Sequence, residues 1–171
     1  MPAAIEAIPA GSAVLIDANI LVYALLGQSV QCGALLRRCA GEEVYGVTTW
    51  DAVGDAVHRL MLREGFEKGL IPEGTRNPAK WLKKRPGTVA GLTVYQMQAE
   101  SILELNVVLL ETTEPGFRRA GEARSSYGLL TRDSLLVAAM RENGIGLLVS
   151  NDPDFDRVDG LTRYYPSDLV V

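Results

Sequence analysis

The sequence predicts an α/β protein: a three-layer α/β/α fold around a central, mostly parallel sheet of four or five strands. Three observations carry this expectation. Short apolar runs recur at Ala13–Ile16, Val44–Thr48, Asn106–Leu110 and Gly146–Ser150, continuous instead of alternating, as in strands covered on both faces. Segments of helical spacing separate them, and strands alternating with helices favour a parallel sheet. The 171 residues, 47% of them hydrophobic, suffice for one packed core and not comfortably for two, so the chain reads as a single domain over 1–171.

Taken in order, Gly11-Ser12 leads into Ala13-Val-Leu-Ile-Asp17, the first strand, which ends on a carboxylate. Asn19 to about Ala40 reads as one helix. Cys32 and Cys39 lie within it, seven positions apart, and the helical rise separates them too widely for a disulfide, so they are expected to be reduced packing residues. Val44–Thr48 is the second strand. Thr48 or Thr49 caps the next helix, with Asp51 placed to complete a capping box with Thr48, and Val53, Val57, Leu60 and Met61 point inward. Residues 65–91 hold three prolines, five glycines and the basic group Lys80, Lys83, Lys84 and Arg85 around Trp81, which predicts an irregular helical excursion within the domain. Ala99–Leu105 is helical and Asn106–Leu110 is the third strand. Phe117–Tyr127 forms a polar helix closed by Gly128, and Thr131 caps a helix from Asp133 to about Asn143, closed by Gly144. Gly146–Ser150 is the fourth strand and Leu161–Tyr165 a short fifth.

Composition excludes several functions. A net charge of −4 does not draw the whole molecule to nucleic acid, so any RNA contact must come from a local basic patch or from bound metal. With one histidine and two cysteines there is no set for a structural zinc, and a metal would be held by oxygen. No stretch has the apolar length of a membrane span, and Met1–Ala13 lacks the basic start and hydrophobic core of an export signal. A cytoplasmic protein that does not engage a membrane is expected.

The chemistry-bearing residues are aspartates. Aspartate is common in turns and helix starts for local reasons alone. Asp17 differs because it sits between two apolar runs, Val14-Leu15-Ile16 and Ile20-Leu-Val-Tyr23, where desolvation is costly without a cation. Asp133 heads the inward stripe of its helix, one turn from Leu136 and Val137. Asp152, Asp154 and Asp156 alternate after the fourth strand, but an EF-hand would need Gly at Arg157 and Glu at Arg163. In open α/β sheets ligands gather where strands end and the winding reverses, which brings Asp17 and Asp152 together.

Four pieces, in order, resemble PIN domains, especially the VapC-like toxin branch. They are Leu15-Ile16-Asp17-Ala18-Asn19-Ile20-Leu21-Val22-Tyr23, then Asp55-Ala56-Val57-His58-Arg59-Leu60-Met61, then Tyr127–Asp133 continued by Ser134–Met140, and Ser150-Asn151-Asp152-Pro153-Asp154-Phe155. The resemblance implies a metal-dependent endoribonuclease, the toxin of a toxin–antitoxin pair, with Asp17, Asp133 and Asp152 binding Mg2+ or Mn2+. It also implies that Asn19 supports Asp17, that a small antitoxin protein is a partner, and that the chain is a homodimer. Asp55 is taken as the fourth ligand and catalytic carboxylate, although the family carries the longer Glu there; Asp51, one turn away, is the alternative. Asp154 is expected to give outer polar support. Arg59, Arg132, Lys83 and Lys84 are candidates for RNA contact, as is the Trp81 region. His58 has no role in this scheme.

Two other functions compete. A catalytically weak PIN-like module that binds RNA or a partner would follow from Asp55 standing where Glu is expected. A haloacid-dehalogenase-like phosphatase also places aspartates after strands, but Asp17-Ala-Asn19 lacks its second aspartate.

Overall fold

The computed structural model describes residues 2–169. Six strands form one sheet: β1 (Ala3–Ala4), β2 (Ala13–Ile16), β3 (Tyr45–Thr49), β4 (Val108–Leu110), β5 (Leu147–Val149) and β6 (Thr162–Tyr165). Their order is β1-β6-β5-β2-β3-β4, and every pairing is parallel. Side chains on a strand alternate between faces, yet Val14, Leu15 and Ile16 of β2 are all fully buried. Both faces of the sheet are therefore covered, giving the three layers that the continuous apolar runs predict. The sixth strand is the two-residue β1, too short to carry a periodic signal. From β2 the chain winds through β3 and β4 on one side, then returns to β5 on the other. The reversal therefore falls between β2 and β5, as the sequence suggests.

Around the sheet lie α1 (Ala18–Leu25), α2 (Val30–Ala40), α3 (Trp50–Glu67), α4 (Pro78–Lys83), α5 (Pro86–Ala90), α6 (Val94–Ile102), α7 (Glu114–Tyr127) and α8 (Thr131–Glu142). The single helix expected over 19–40 is in fact two. Gly27 turns the chain with φ of 65°, a conformation glycine adopts without cost. Ser29 then caps α2, its Oγ accepting from the Cys32 N–H at 2.9 Å. Cys32 and Cys39 are buried free thiols.

Two capping expectations also change. Thr49, not Thr48, caps α3, accepting from the Ala52 N–H at 3.1 Å, while Thr48 donates to the Ile16 carbonyl at 2.8 Å. The third helical position is then Ala52, so no capping box forms, and Asp51 instead accepts from Thr112 Oγ1 at 2.5 Å. At α8, Leu130 is the N-cap with no side-chain bond. Thr131 is already helical, and its carbonyl accepts from Ser134 Oγ at 2.7 Å. Gly128 closes α7 with φ of 64°, as read from the sequence.

The excursion after α3 is made of short helices, α4 and α5 each starting with Pro. It has its own small core of Ile71, Leu82 and Leu92, separate from the main core against the sheet. Buried Glu64 ties it to α3: its carboxylate accepts from the Thr93 and Tyr95 N–H groups at 2.9 and 2.8 Å and pairs with Lys68 at 2.6 Å. Burial pushes the Glu64 pKa up, but Lys68 and these N–H groups outweigh it and bring it down to about 2. Among the described residues no single helix is long and apolar enough to cross a membrane.

Candidate active site

Asp17 follows β2 and caps α1. Its own N–H continues the sheet ladder to the Val149 carbonyl at 3.0 Å, which sets Asp17 beside the end of β5. One carboxylate oxygen accepts from the Ala18 N–H at 2.6 Å. The other accepts from Asn19 Nδ2 and Ser150 Oγ, both at 2.6 Å. Ser150 Oγ in turn accepts from the Asp152 N–H at 3.0 Å, and Asn19 Oδ1 accepts from the Asn151 N–H at 3.2 Å. A buried serine and a buried asparagine thus clamp the two strand ends into one hydrogen-bonded unit. Ser150 was not singled out in the sequence, although the register that pairs Ile16 with Val149 puts it opposite Asp17.

Asp152 caps the short 3-10 turn Pro153–Arg157, accepting from the Asp154 N–H at 2.9 Å. Behind it, Arg163 locks the turn by donating to both Asp156 oxygens at 2.6 and 2.8 Å and to the Ser150 carbonyl at 3.1 Å. Asp154 faces outward and pairs with Arg157 at 2.9 Å. Asp133, on the first turn of α8, completes a group of three carboxylates from three different elements.

Among the described residues none of these three carboxylates is in an ion pair. Burial raises the Asp133 pKa, and the Asp152, Asp17 and Asp154 charges add to this against the opposing pull of Arg132, bringing it to about 6. The Asp17 pKa is also raised, first by burial, despite the bonds from Ser150 and Ala18 and the field of Arg59. Asp17, Asp133 and Asp152 line one pocket of about 80 Å³ together with Asp51, Asp55, Arg59 and Arg132. Four expected site carboxylates therefore share one pocket, with Asp51 on its wall as a fifth.

Asp55 stands apart in its partners. Its Oδ2 accepts from Arg59 Nε at 2.9 Å, one turn along α3, and its Oδ1 pairs with Arg132 Nη1 from α8. Lys83 and Lys84 are not at this pocket. They rim a second cavity of about 900 Å³, with His58, Met61, Leu62 and Leu82 in its wall. Arg85 lies 3.8 Å over the Trp81 ring, on the outside of the same excursion.

The donor set suits a hard cation. It offers oxygen alone, from carboxylates that repel one another and line one small polar pocket. Among the described residues, however, no three Asp, Glu, His or Cys side chains are arranged at the separations that would grip one ion together. The fit lies in chemistry and location, and closure around an ion requires the side chains to turn inward.

Comparison with known proteins agrees with the fold. The PIN domain family model matches residues 94–161, a stretch that contains Asp133 and Asp152. The fold extends the likeness over the rest of the chain. A structure of VapBC2 from Rickettsia felis bound to a promoter DNA fragment aligns with TM-score 0.58 and 12% identity, covering 91% of this chain and 99% of that one. A toxin–antitoxin complex from Klebsiella pneumoniae aligns with TM-score 0.56 and 14% identity, covering 87% and 95%. The Mycobacterium tuberculosis VapC20 toxin, which cleaves the sarcin-ricin loop, aligns with TM-score 0.54 and 17% identity, covering 84% and 92%. No curated protein sequence matches the chain. The molecule is thus an α/β protein with a carboxylate pocket at the switch point of its sheet. Over residues 94–161 it is similar to the PIN domain family, and its fold is that of the toxin structures.

Proposed function

We propose that this chain, a single domain over 1–171, is a metal-dependent endoribonuclease acting as the toxin of a toxin–antitoxin pair. One observation carries the reading: Asp17, Asp133 and Asp152 meet at the switch point without ion-pair partners among the described residues, Asp133 being held at about 6 by burial and by its neighbours. Such a group is costly unless a cation joins it. Asp17, Asp133 and Asp152 are the residues that would hold Mg2+ or Mn2+, with Asp55 in the same pocket. The ion would supply an activated water and stabilise charge developing on a phosphodiester. Ser150 and Asn19 orient Asp17 by donating to it. Arg59 and Arg132 offer guanidinium donors to the substrate phosphate from the same pocket.

The likeness to the toxin structures supports RNA as substrate and a small antitoxin as partner, and a cytoplasmic homodimer belongs to the same reading. The test is cleavage of single-stranded RNA in Mn2+ by wild type and Asp133→Asn. The near-isosteric exchange should keep the melting transition and lower the rate by at least about a hundredfold. Equal rates would sink the assignment. A second reading, a PIN-like module that binds RNA without cutting it, is favoured by the ion pairs that occupy Asp55, and absence of cleavage by the wild type would select it.

A further inference from the structure

The pocket carries two kinds of charged group. Asp17, Asp133 and Asp152 line it without ion-pair partners among the described residues, and Asp55 lines it between Arg59 and Arg132, a group with a net positive charge. The Asp55 side chain is only 8% exposed, whereas those of Arg59 and Arg132 are 50% and 64% exposed. Each of its oxygens carries a guanidinium, one from the same helix and one from a residue 77 positions away. To turn toward a cation, Asp55 would have to release both arginines and leave their positive charge beside the ion. The same arginines lie within electrostatic reach of the other group, since Arg59 acts on Asp17 and Arg132 on Asp133. Without Asp55 they would be drawn onto those carboxylates and fill the place of the cation.

We propose that Asp55 is not a metal ligand but a positioning residue, which holds Arg59 and Arg132 apart from the Asp17–Asp133–Asp152 group and presents them to the substrate phosphodiester. This rests on the nuclease reading above. Each guanidinium carries five N–H donors in a fixed fork, and the pairs to Asp55 engage Arg59 through Nε and Arg132 through Nη1. The remaining donors stay free for phosphate oxygens.

Two measurements test the assignment, and neither needs turnover. The first is binding of a fluorescein-labelled single-stranded RNA in EDTA, read by anisotropy. Removing a negative charge from an RNA path should tighten binding if Asp55 is a bystander. A positioning residue predicts the opposite sign: Asp55→Asn weakens binding about fivefold or more, Asp55→Glu restores it to within about twofold, and Asp55→Asn adds nothing in an Arg59→Gln/Arg132→Gln background. The second is Mn2+ calorimetry in that arginine-free background, where adding Asp55→Asn removes a buried charge with no remaining partner and so should favour folding. The Mn2+ affinity should stay within about threefold there, while Asp133→Asn lowers it by tenfold or more. Loss of Mn2+ binding with Asp55→Asn in the arginine-free background, or RNA binding by Asp55→Asn equal to or tighter than wild type, overturns the proposal. Failure of the nuclease reading gives a different signature, with Mn2+ binding unaffected by Asp133→Asn.

Discussion

Two cavities of this molecule are opposites. The carboxylate pocket is small, about 80 Å³, and its Asp17–Ser150–Asp152 wall is pinned to the ends of neighbouring sheet strands. The excursion cavity is about ten times larger, lined by the carbon of Met61, Leu62 and Leu82, and rimmed by Lys80, Lys83 and Lys84. Both lie against α3, which gives Asp55 and Arg59 to the first and His58 and Met61 to the second. Size therefore does not locate the chemistry. The sheet fixes its carboxylates closely enough to create electrostatic strain, whereas short Pro-started helices around a three-residue core enclose volume without concentrating charge of one sign in a buried place.

Several substitutions would break or sharpen this contrast. The largest effect is expected in the small pocket: Asp133→Asn should cost at least about a hundredfold in RNA cleavage, whereas His58→Ala in the large cavity should change the rate by less than about threefold. Next is the link between the two regions. Glu64→Gln keeps the shape but loses the charge that holds Lys68 and the Thr93 and Tyr95 N–H groups. It should destabilise the fold by roughly 1–3 kcal/mol, about 2–4 °C of melting temperature per kcal/mol for a chain of this size. Differential scanning calorimetry reads this directly. Smaller still, Lys83→Ala/Lys84→Ala should weaken RNA binding a few-fold and flatten its salt dependence without shifting Mn2+ affinity. Unchanged salt dependence would remove the excursion from the RNA path.

The smallest effect is a pH dependence whose sign differs between the regions. Asp133 rises from 3.8 to about 6 in the folded protein, so the folded state binds more protons in that interval. Metal-free stability should fall as pH rises through it, and saturating Mn2+ should remove the slope. Glu64 falls from 4.5 to about 2, so its contribution is complete above the first value and is lost as pH drops toward the second. Thermal melts of the metal-free protein across pH 2–7, repeated for Asp133→Asn and Glu64→Gln, would separate the two.

The features legible in the sequence were those set by local pattern. β2 and β5 announce themselves as apolar runs ending in polar residues, and parallel winding forces their ends together, so the proximity of Asp17 and Asp152 could be read in advance. The break at Gly27–Ser29 was obscured because the apolar spacing of α1 continues almost in phase into α2. The cap of α3 stayed open between two adjoining threonines, which are distinguished by the bond from Thr48 to the Ile16 carbonyl and the bond from the Ala52 N–H to Thr49. The Asp55–Arg132 pair had no sequence signal, since it depends on how α3 and α8 lie across the sheet. Ser150 was within reach: a hydroxyl residue ending the strand beside Asp17 is a candidate for bonding it.

The Glu64 carboxylate has a consequence for how the molecule opens. The first N–H groups of a helix normally exchange freely with water, but those of Thr93 and Tyr95 end on a carboxylate rooted in α3. Their deuterium exchange should be slow, and it should quicken only when α3 itself comes loose. The mostly exposed segment 72–77, by contrast, lies between anchors and should accept a proteolytic nick or an inserted tag while α3 keeps its place.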